Sequence, residues 1–274
     1  GDTMFGVRHV MLDPRSPKIV YVSAWNNAIH RSAPSLEAGD ASFKPVFAIV
    51  GLQRFRDLAM FDLTVRDGHT RMYVYNGSDD LDEQALYRLD NADVHAASLV
   101  TMDGTGRLSN SKAWIKTTST DPASPGSVSK RLCLAQCFYD LVVAVPPGQP
   151  DTVYIGGVAT TTFGDPTIRS TDGGVTFTSF GSDAESPRTA SHVDVRAIVF
   201  HTQVPQIAFV GSDGGVVRSD GAFANISDRC SQLYPSAPQC RSVLSSVPAR
   251  LYFMNRGLQT TQFYNVSIDP RAPL

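Results

Sequence analysis

The sequence has little excess charge of either sign and no cluster of lysine and arginine. Across 274 residues, 24 basic and 26 acidic side chains leave a formal net charge of −2. Nucleic acids and anionic membrane surfaces select proteins with basic patches. No apolar run reaches the ~18 residues that a helix needs to span a bilayer. The sequence therefore predicts no nucleic-acid partner and no membrane span.

Cysteine is also scarce, and the four residues form two close pairs, Cys133 with Cys137 and Cys230 with Cys240. Neither pair has the C-x-x-C spacing of a zinc knuckle, so a four-cysteine zinc site is the less favoured alternative. A local disulfide within each pair is typical of secreted or periplasmic domains. We therefore expect two small-loop disulfides and a secreted, periplasmic or cell-surface location.

The sequence does contain a succession of short β-prone segments separated by turns. There are 21 Gly and 17 Pro, few stretches favour a helix, and the pattern strand, Pro-bounded loop, strand recurs. Four rounds occupy residues 7–50, 55–118, 138–181 and 195–229, and a fifth begins in 262–274. Blades of four short strands are typical of a β-propeller. The sequence therefore predicts an all-β chain in which residues 1–274 form a propeller segment of four-stranded antiparallel blades.

One turn in the third round has a distinctive order, Ser170-x-Asp172-x-Gly174-x-Thr176-Phe177. Glycine tolerates positive φ in such a turn, Ser and Asp can hydrogen-bond its backbone, and Phe177 can pack beneath it. The octapeptide resembles the Asp-box, or bacterial neuraminidase repeat, of sialidases, sortilin-like domains and xyloglucanase-like glycoside hydrolases. This resemblance implies a β-propeller in which the box has a structural role between the third and fourth strands of a blade.

A complete propeller packs its last blade against its first, which removes exposed edges. Four rounds and the beginning of a fifth do not predict such a closed ring. The segment is expected to be an incomplete part of a larger ring of about six to eight blades, and we favour a fragment of a longer protein. The remaining blades, or a partner subunit, would complete the ring.

The best candidate ligand site combines His192 and Asp194, at the start of the fourth round, with Asp213, which precedes two glycines. Alternate residues of a strand share a face, so the first two side chains are expected to lie together near the central channel. Their order resembles a blade pattern of xyloglucanase-like and sortilin-like repeat proteins, although Arg196 stands where a second His is expected. One interpretation is a polar site for a sugar or Ca²⁺. The other is a structural network between neighbouring blades.

Two further polar features are open to more than one interpretation. The acidic stretch 77–83 could hold Ca²⁺ through oxygen ligands, but its spacing does not match an EF-hand, so a solvated acidic loop is favoured. Glycosylation sequons begin at Asn76, Asn225 and Asn265, and they matter only in a eukaryotic secretory pathway.

The candidate residues do not favour catalysis. Glycoside hydrolysis needs two carboxyl groups facing each other across the sugar. Asp194 could be one of them, but the sequence gives no reason to select any second carboxyl group as its partner. The arginine triad and tyrosine nucleophile of sialidases are not matched either, and Trp25 and Trp114 are few for a long sugar cleft. The sequence therefore predicts a non-catalytic secreted or surface propeller that binds a glycan or protein or builds a surface assembly. The alternatives are a xyloglucanase-like glycoside hydrolase and a sortilin-like peptide receptor.

Overall fold

The structure is a computed structural model that describes residues 6–33, 43–52, 56–160, 162–187 and 191–257. Four antiparallel sheets of four strands each follow one another along these residues. The first strands of neighbouring sheets contact one another, so they share the inner side of the arrangement. The predicted fold class, a β-propeller of four-stranded antiparallel blades, is confirmed.

The first two blades occupy the part of the chain before residue 117. The first contains β1 (Val7–Leu12), β2 (Val20–Ala24), β3 (Ala28–Arg31) and β4 (Lys44–Ala48). The second contains β5 (Leu58–Arg66), β6 (His69–Gly77), β7 (Ala85–Leu89) and β10 (Ile115–Lys116). Between β7 and β10 lies an inserted hairpin, β8 (Val100–Met102) and β9 (Leu108–Asn110).

The third and fourth blades follow in the same manner. The third contains β11 (Val142–Ala144), β12 (Val153–Gly156), β13 (Thr167–Ser170) and β14 (Thr178–Ser179). The fourth contains β15 (Val195–Phe200), β16 (Ala208–Ser212), β17 (Gly215–Ser219) and β20 (Leu251–Phe253). Short 3₁₀ helices connect elements at Ala96–Ser98, Pro125–Ser129, Leu134–Gln136 and Ser227–Arg229.

The outer strand of the fourth blade lies beyond the boundary expected at residue 229, because β17 pairs with β20 rather than with a strand that follows directly. The intervening insertion contains a small sheet of β18 (Phe223–Ala224) and β19 (Val247–Pro248) and two short helices, α1 (Cys230–Leu233) and α2 (Cys240–Val243). The expected fifth round, 262–274, lies outside the described residues.

Both expected disulfides are present. Cys133 is bonded to Cys137, and Cys230 is bonded to Cys240. The second bond joins α1 to α2, and both of its cysteines lie in the hydrophobic cluster shared by the second and third blades. No helix in the described part of the chain is long and apolar enough to cross a membrane.

The core consists of apolar layers between neighbouring blades. Tyr21 and Phe47 of the first blade pack with Phe61 of the second, and Tyr154 of the third packs with Ile198 of the fourth. Because each blade contributes its faces to such layers, the positions of the strands inside one blade depend on its neighbours. This dependence brings side chains from different blades together at the inner strands.

The outer edge of the first blade is covered by side chains of the second. The Trp114 indole N–H donates to the Val46 carbonyl at 3.0 Å. The Asn110 side chain accepts from the Ala48 N–H at 2.7 Å and donates to its carbonyl at 2.8 Å. The Asn76 side chain binds the N–H and the carbonyl of Val50 in the same way, at 3.0 and 2.9 Å. Side chains therefore occupy the outward backbone groups of alternate residues along this edge.

Candidate functional site

The turn between β13 and β14 is held by hydrogen bonds among its own residues. The Asp172 carboxylate accepts from the backbone N–H groups of Val175 and Thr176, at 3.0 and 2.9 Å, and from the Thr176 hydroxyl at 2.6 Å. The Ser170 hydroxyl lies 2.7 Å from the same carboxylate and accepts from the Gly174 N–H at 2.9 Å. Burial opposes ionisation of Asp172, but these hydrogen bonds hold its pKa below the usual value.

The same turn also joins the third blade to the second. The Arg88 guanidinium of β7 donates to the Gly173 carbonyl at 2.9 Å. A side chain at Gly174, whose φ is +86°, would approach Leu86 to within 2.6 Å. Phe177 is fully buried in the core layer below. The turn therefore connects the second and third blades. The Asp172 carboxylate is hydrogen-bonded to other groups of the same turn.

The three residues of the candidate ligand site lie at one end of the fourth blade. Asp194 immediately precedes β15 and has a φ of +65°, and Asp213 lies in the turn between β16 and β17. His192 is exposed and packs against Gly214, where an added Cβ would lie 2.3 Å from the histidine Cβ. Asn255 supports the turn by binding the Gly214 carbonyl at 2.7 Å. The structure thus brings the predicted residues to one end of one blade.

Arg196 occupies the centre of this group. Its Nε donates to Asp213 Oδ1 at 3.0 Å, and its Nη2 lies 3.2 Å from Asp140 Oδ1. Its guanidinium also lies over the Tyr139 ring, 3.2 Å from the ring centroid. The Arg196 side chain is only 1% exposed. Sequence reasoning treated this arginine as a departure from a pattern, whereas in the structure it connects the carboxylates.

Asp140, which sequence reasoning did not select, belongs to the same group. It lies just before β11 in the third blade, and its side chain is fully buried. Burial raises its pKa to about 7, the positive charge of Arg196 opposes this effect, and the charges of Asp194 and Asp213 add to it. The group therefore links the third and fourth blades through one guanidinium and three carboxyl groups.

A related arrangement occurs in the second blade. Asp57 precedes β5, and its carboxylate accepts from the backbone N–H of Asp79 at 2.7 Å. Burial and the nearby charge of Asp57 raise the pKa of Asp79, with Arg56 opposing. Asp79 follows Gly-Ser at the end of β6, as Asp213 follows Gly-Ser at the end of β16. This shared tripeptide was the signal in the sequence that could have identified the repeated position.

Two of the four acidic side chains in the stretch 77–83, those of Asp82 and Glu83, lie beside basic side chains. Asp82 lies 2.6 Å from Arg131 and 3.1 Å from Lys130, and these partners lower its pKa. Glu83 lies 3.9 Å from Lys116. Among the residues that the structure describes, no group of three or more His, Cys, Asp or Glu is arranged to hold a metal ion. Ca²⁺ binding stays a prediction.

The two sequons within the described residues differ in exposure. Asn76 is fully buried, and its amide nitrogen donates to the Val50 and Glu83 carbonyls. Asn225 is exposed, and its side-chain oxygen accepts from the Ser227 N–H at 2.9 Å. Asn265 lies outside the described residues. Of the first two, only Asn225 presents its side chain at the surface of the folded chain.

A concave site lies between the outer edge of the first blade and the inserted hairpin of the second. Its volume is about 730 Å³, within the range of about 300–1,000 Å³ that is typical of small-molecule sites. Tyr87 and Trp114 line it together with Asn27, Asp103 and Arg107. Burial raises the pKa of Tyr87 to about 12, and the charge of Glu83 adds to the shift. Aromatic rings and polar groups therefore line the same cavity.

Comparison with known proteins gives a likeness of fold only. No protein-family model and no curated protein matches the chain. Among solved structures, the Niastella koreensis GH74 enzyme is 16% identical with a TM-score of 0.45, and the match covers 78% of this chain and 29% of that one. The GH74 xyloglucanase from Xanthomonas campestris is 16% identical with a TM-score of 0.37, and the match covers 97% and 42%. The chain spans less than half the length of either protein.

Proposed function

We propose that this chain is a non-catalytic propeller, secreted or on the cell surface, that binds a glycan or a protein or builds a surface assembly. The observation that carries the proposal is the burial of Asp140 beside Arg196. A carboxyl group that is fully buried and ion-paired with a neighbouring blade cannot reach a sugar. The two disulfides support the extracellular location, and the hydrogen bonds of the turn at 170–177 support its assignment as an Asp-box.

Hydrolysis of a glycoside requires two accessible carboxyl groups about 5 Å or about 6.5–9.5 Å apart on either side of the bond. Asp213 is held by Arg196, and Asp140 is shielded from solvent. Trp114, one of two tryptophans, is buried with its indole N–H bound to the Val46 carbonyl. This arrangement supports cohesion between blades rather than attack on a glycosidic bond.

For a glycan ligand, the cavity lined by Tyr87 and Arg107 is the favoured site. Sugar recognition combines apolar ring contacts with a few polar groups that fix orientation, and both kinds of group line this space. Arg107 is exposed at the tip of the inserted hairpin, so a bound glycan would contact the hairpin and the edge of the first blade together.

The test combines binding and turnover on the same polysaccharides, with xyloglucan and cellulose as probes. We expect binding by affinity electrophoresis, weakened about tenfold by Tyr87→Phe or Arg107→Ala because each removes one polar contact, and no release of reducing ends. Lys18→Ala is the matched control, because Lys18 is an exposed basic residue that does not line the cavity. If the wild-type chain releases reducing ends and Asp213→Asn does not, the hydrolase alternative is established instead. Binding of extended peptides alone would favour the sortilin-like alternative, and repeating the binding with Ca²⁺ or a chelator tests the predicted ion.

A further inference from the structure

The cavity between the first blade and the inserted hairpin has walls that are joined by hydrogen bonds. The first blade contributes residues 48–52 and the turn that contains Asn27, and the second contributes Tyr87, Trp114 and the hairpin. The side chains of Asn110 and Trp114 bind the edge of the first blade and so connect these walls. A cavity whose walls are already connected needs little ordering when a ligand binds.

The carboxylate that lines this cavity is hydrogen-bonded within its own turn. Asp103 Oδ1 accepts from the Thr105 hydroxyl at 2.6 Å, from the Thr105 N–H at 2.8 Å and from the Arg107 N–H at 2.9 Å. These hydrogen bonds, with that of the Thr105 hydroxyl foremost, hold the pKa of Asp103 below its usual value. This oxygen is therefore turned into the hairpin rather than presented to a ligand.

A second carboxylate, that of Glu83, lies against the cavity wall at Gly51. A Cβ added at Gly51, which lines the cavity, would be 2.8 Å from the Glu83 Cγ. The Lys116 Nζ lies 3.9 Å from the Glu83 Oε2, and its positive charge offsets that of the carboxylate. The negative charges of Asp103 and Glu83 are thus both opposed by groups of the protein itself.

Donors that line the cavity are, by contrast, free to bind a ligand. Arg107 is exposed, and its guanidinium forms neither an ion pair nor a hydrogen bond with any described residue. Its charge has the smallest of the effects that act on the pKa of Asp103, so this carboxylate is a weak partner for it. The Tyr87 hydroxyl also has no hydrogen-bond partner in the part of the chain that the structure describes, and it is not enclosed. Burial raises the pKa of Tyr87 to about 12, so this hydroxyl keeps its proton and can donate it.

We propose that this cavity binds a glycan through the carboxylate of a uronic acid unit, which Arg107 holds while Tyr87 contacts the sugar ring. The inference rests on the proposed glycan-binding function and specifies the ligand of the same cavity. A guanidinium can donate two parallel N–H groups to a carboxylate, and charge-assisted hydrogen bonds are about twice as strong as those between neutral groups. A neutral sugar offers Arg107 only hydroxyl oxygens and therefore gains the weaker bond.

Sulfate is another anionic group of glycans that a guanidinium can bind. A densely sulfated chain carries many charges and is attracted by clusters of basic side chains. Among the described residues that line the cavity, Arg107 is the sole lysine or arginine. One planar guanidinium is suited to one carboxylate, so the arrangement favours a uronic acid unit over a sulfated chain.

The test compares polygalacturonate with its fully methyl-esterified form, which has the same sugar backbone without the negative charge. Titration calorimetry on the full chain, with a chelator present and at roughly 0.15 M salt to screen long-range attraction, measures both affinities. We expect the charged form to bind about 10- to 100-fold more tightly, as for hydrogen bonds to a charged group. Equal affinities would overturn the inference and leave the glycan-binding function standing. Absence of binding to either form and to xyloglucan would refute the glycan-binding function, and the inference with it.

Variants of Arg107 test which group reads the charge. Arg107→Gln should bring the affinities for the two forms together, and Arg107→Lys should retain part of the preference because lysine keeps the charge without the planar fork. Arg241→Gln makes the same change of charge at an exposed position of α2 that does not line the cavity, so it should leave the preference unchanged. Cooperative thermal unfolding checks that each variant is folded. An undiminished preference in folded Arg107→Gln would overturn the proposal, and so would binding of dextran sulfate that is as tight as that of polygalacturonate and equally dependent on Arg107.

Discussion

Replacement of Arg196 by methionine tests the linkage between the third and fourth blades. Methionine keeps the apolar stem and approximate length of the side chain but removes the guanidinium that contacts Asp140 and Asp213. Since Asp140 is fully buried, its carboxylate is left without its ion-pair partner in the blade interface. The contact of the guanidinium with the Tyr139 ring is lost as well.

The expected loss of stability approaches about 3–5 kcal/mol near pH 9, where Asp140 is ionised, which is the usual cost of removing one member of a buried ion pair; it is smaller at neutral pH. Asp213 contributes little to this figure, because its side chain is 31% exposed and water screens its charge. For a chain of this size the loss corresponds to a decrease in Tm of roughly 6–20 °C. Arg250→Met is the matched control, because Arg250 lies 3.3 Å from Glu185 but both side chains are more than half exposed, so it costs under ~1 kcal/mol.

The loss should depend on pH in a defined direction. In the folded chain the pKa of Asp140 is raised to about 7 from its ordinary 3.8, so this group makes folding less favourable as pH rises from about 4 to about 7. Without Arg196 the folded pKa rises further, and the penalty continues to grow above pH 7. The difference in unfolding free energy between wild type and variant should therefore widen from pH 6 to pH 9.

Urea unfolding at several pH values measures this difference. The double variant Arg196→Met with Asp140→Asn removes the buried charge together with its partner and should recover most of the loss. The reasoning is refuted if the unfolding free energy of Arg196→Met is lower than that of wild type by the same amount at all pH values. It is also refuted if the double variant is no more stable than Arg196→Met, because the loss would then not come from the buried charge of Asp140.

Three other perturbations have defined outcomes. Asp172→Ala removes the hydrogen-bond acceptor of the turn and should lower the unfolding free energy, measured in urea, by about 1–3 kcal/mol. An unchanged urea midpoint would contradict the view that this turn stabilises the contact between the second and third blades. Replacing Cys230 and Cys240 by serine should cost about 2–4 kcal/mol, and intact mass should rise by about four hydrogens when both disulfides of the wild type are reduced. In a eukaryotic secretory host, Asn225→Gln should remove a glycan mass and Asn76→Gln should not, because only Asn225 is exposed; the reverse pattern would contradict the packing of Asn76.

The turn at 170–177 could be predicted from the sequence because its hydrogen bonds join neighbours. The Asp172 carboxylate binds groups at positions 175 and 176, and the Ser170 hydroxyl binds the group at position 174. The strands of the first blade could be located for a similar reason, since Pro-bounded loops separate β1 from β2. Short-range features of this kind depend on few other residues.

The centre of the candidate site could not be predicted in this way. Asp140 meets Arg196 across the interface between two blades, and nothing near either residue in sequence indicates the other. Sequence reasoning identified Asp194 and Asp213 but not the arginine between them as the organising group. The outer strand of the fourth blade was missed for a related reason, because a disulfide-bonded insertion separates β20 from β17.

The asparagine amides along the outer edge of the first blade also limit how this chain can misassemble. An open strand edge is a template on which strands of other molecules add, and repeated addition leads to cross-β fibrils. Here Asn110 and Asn76 already satisfy the outward groups of Ala48 and Val50, so an incoming strand would first have to displace both amides. Fibril growth is thereby disfavoured along this edge of the first blade.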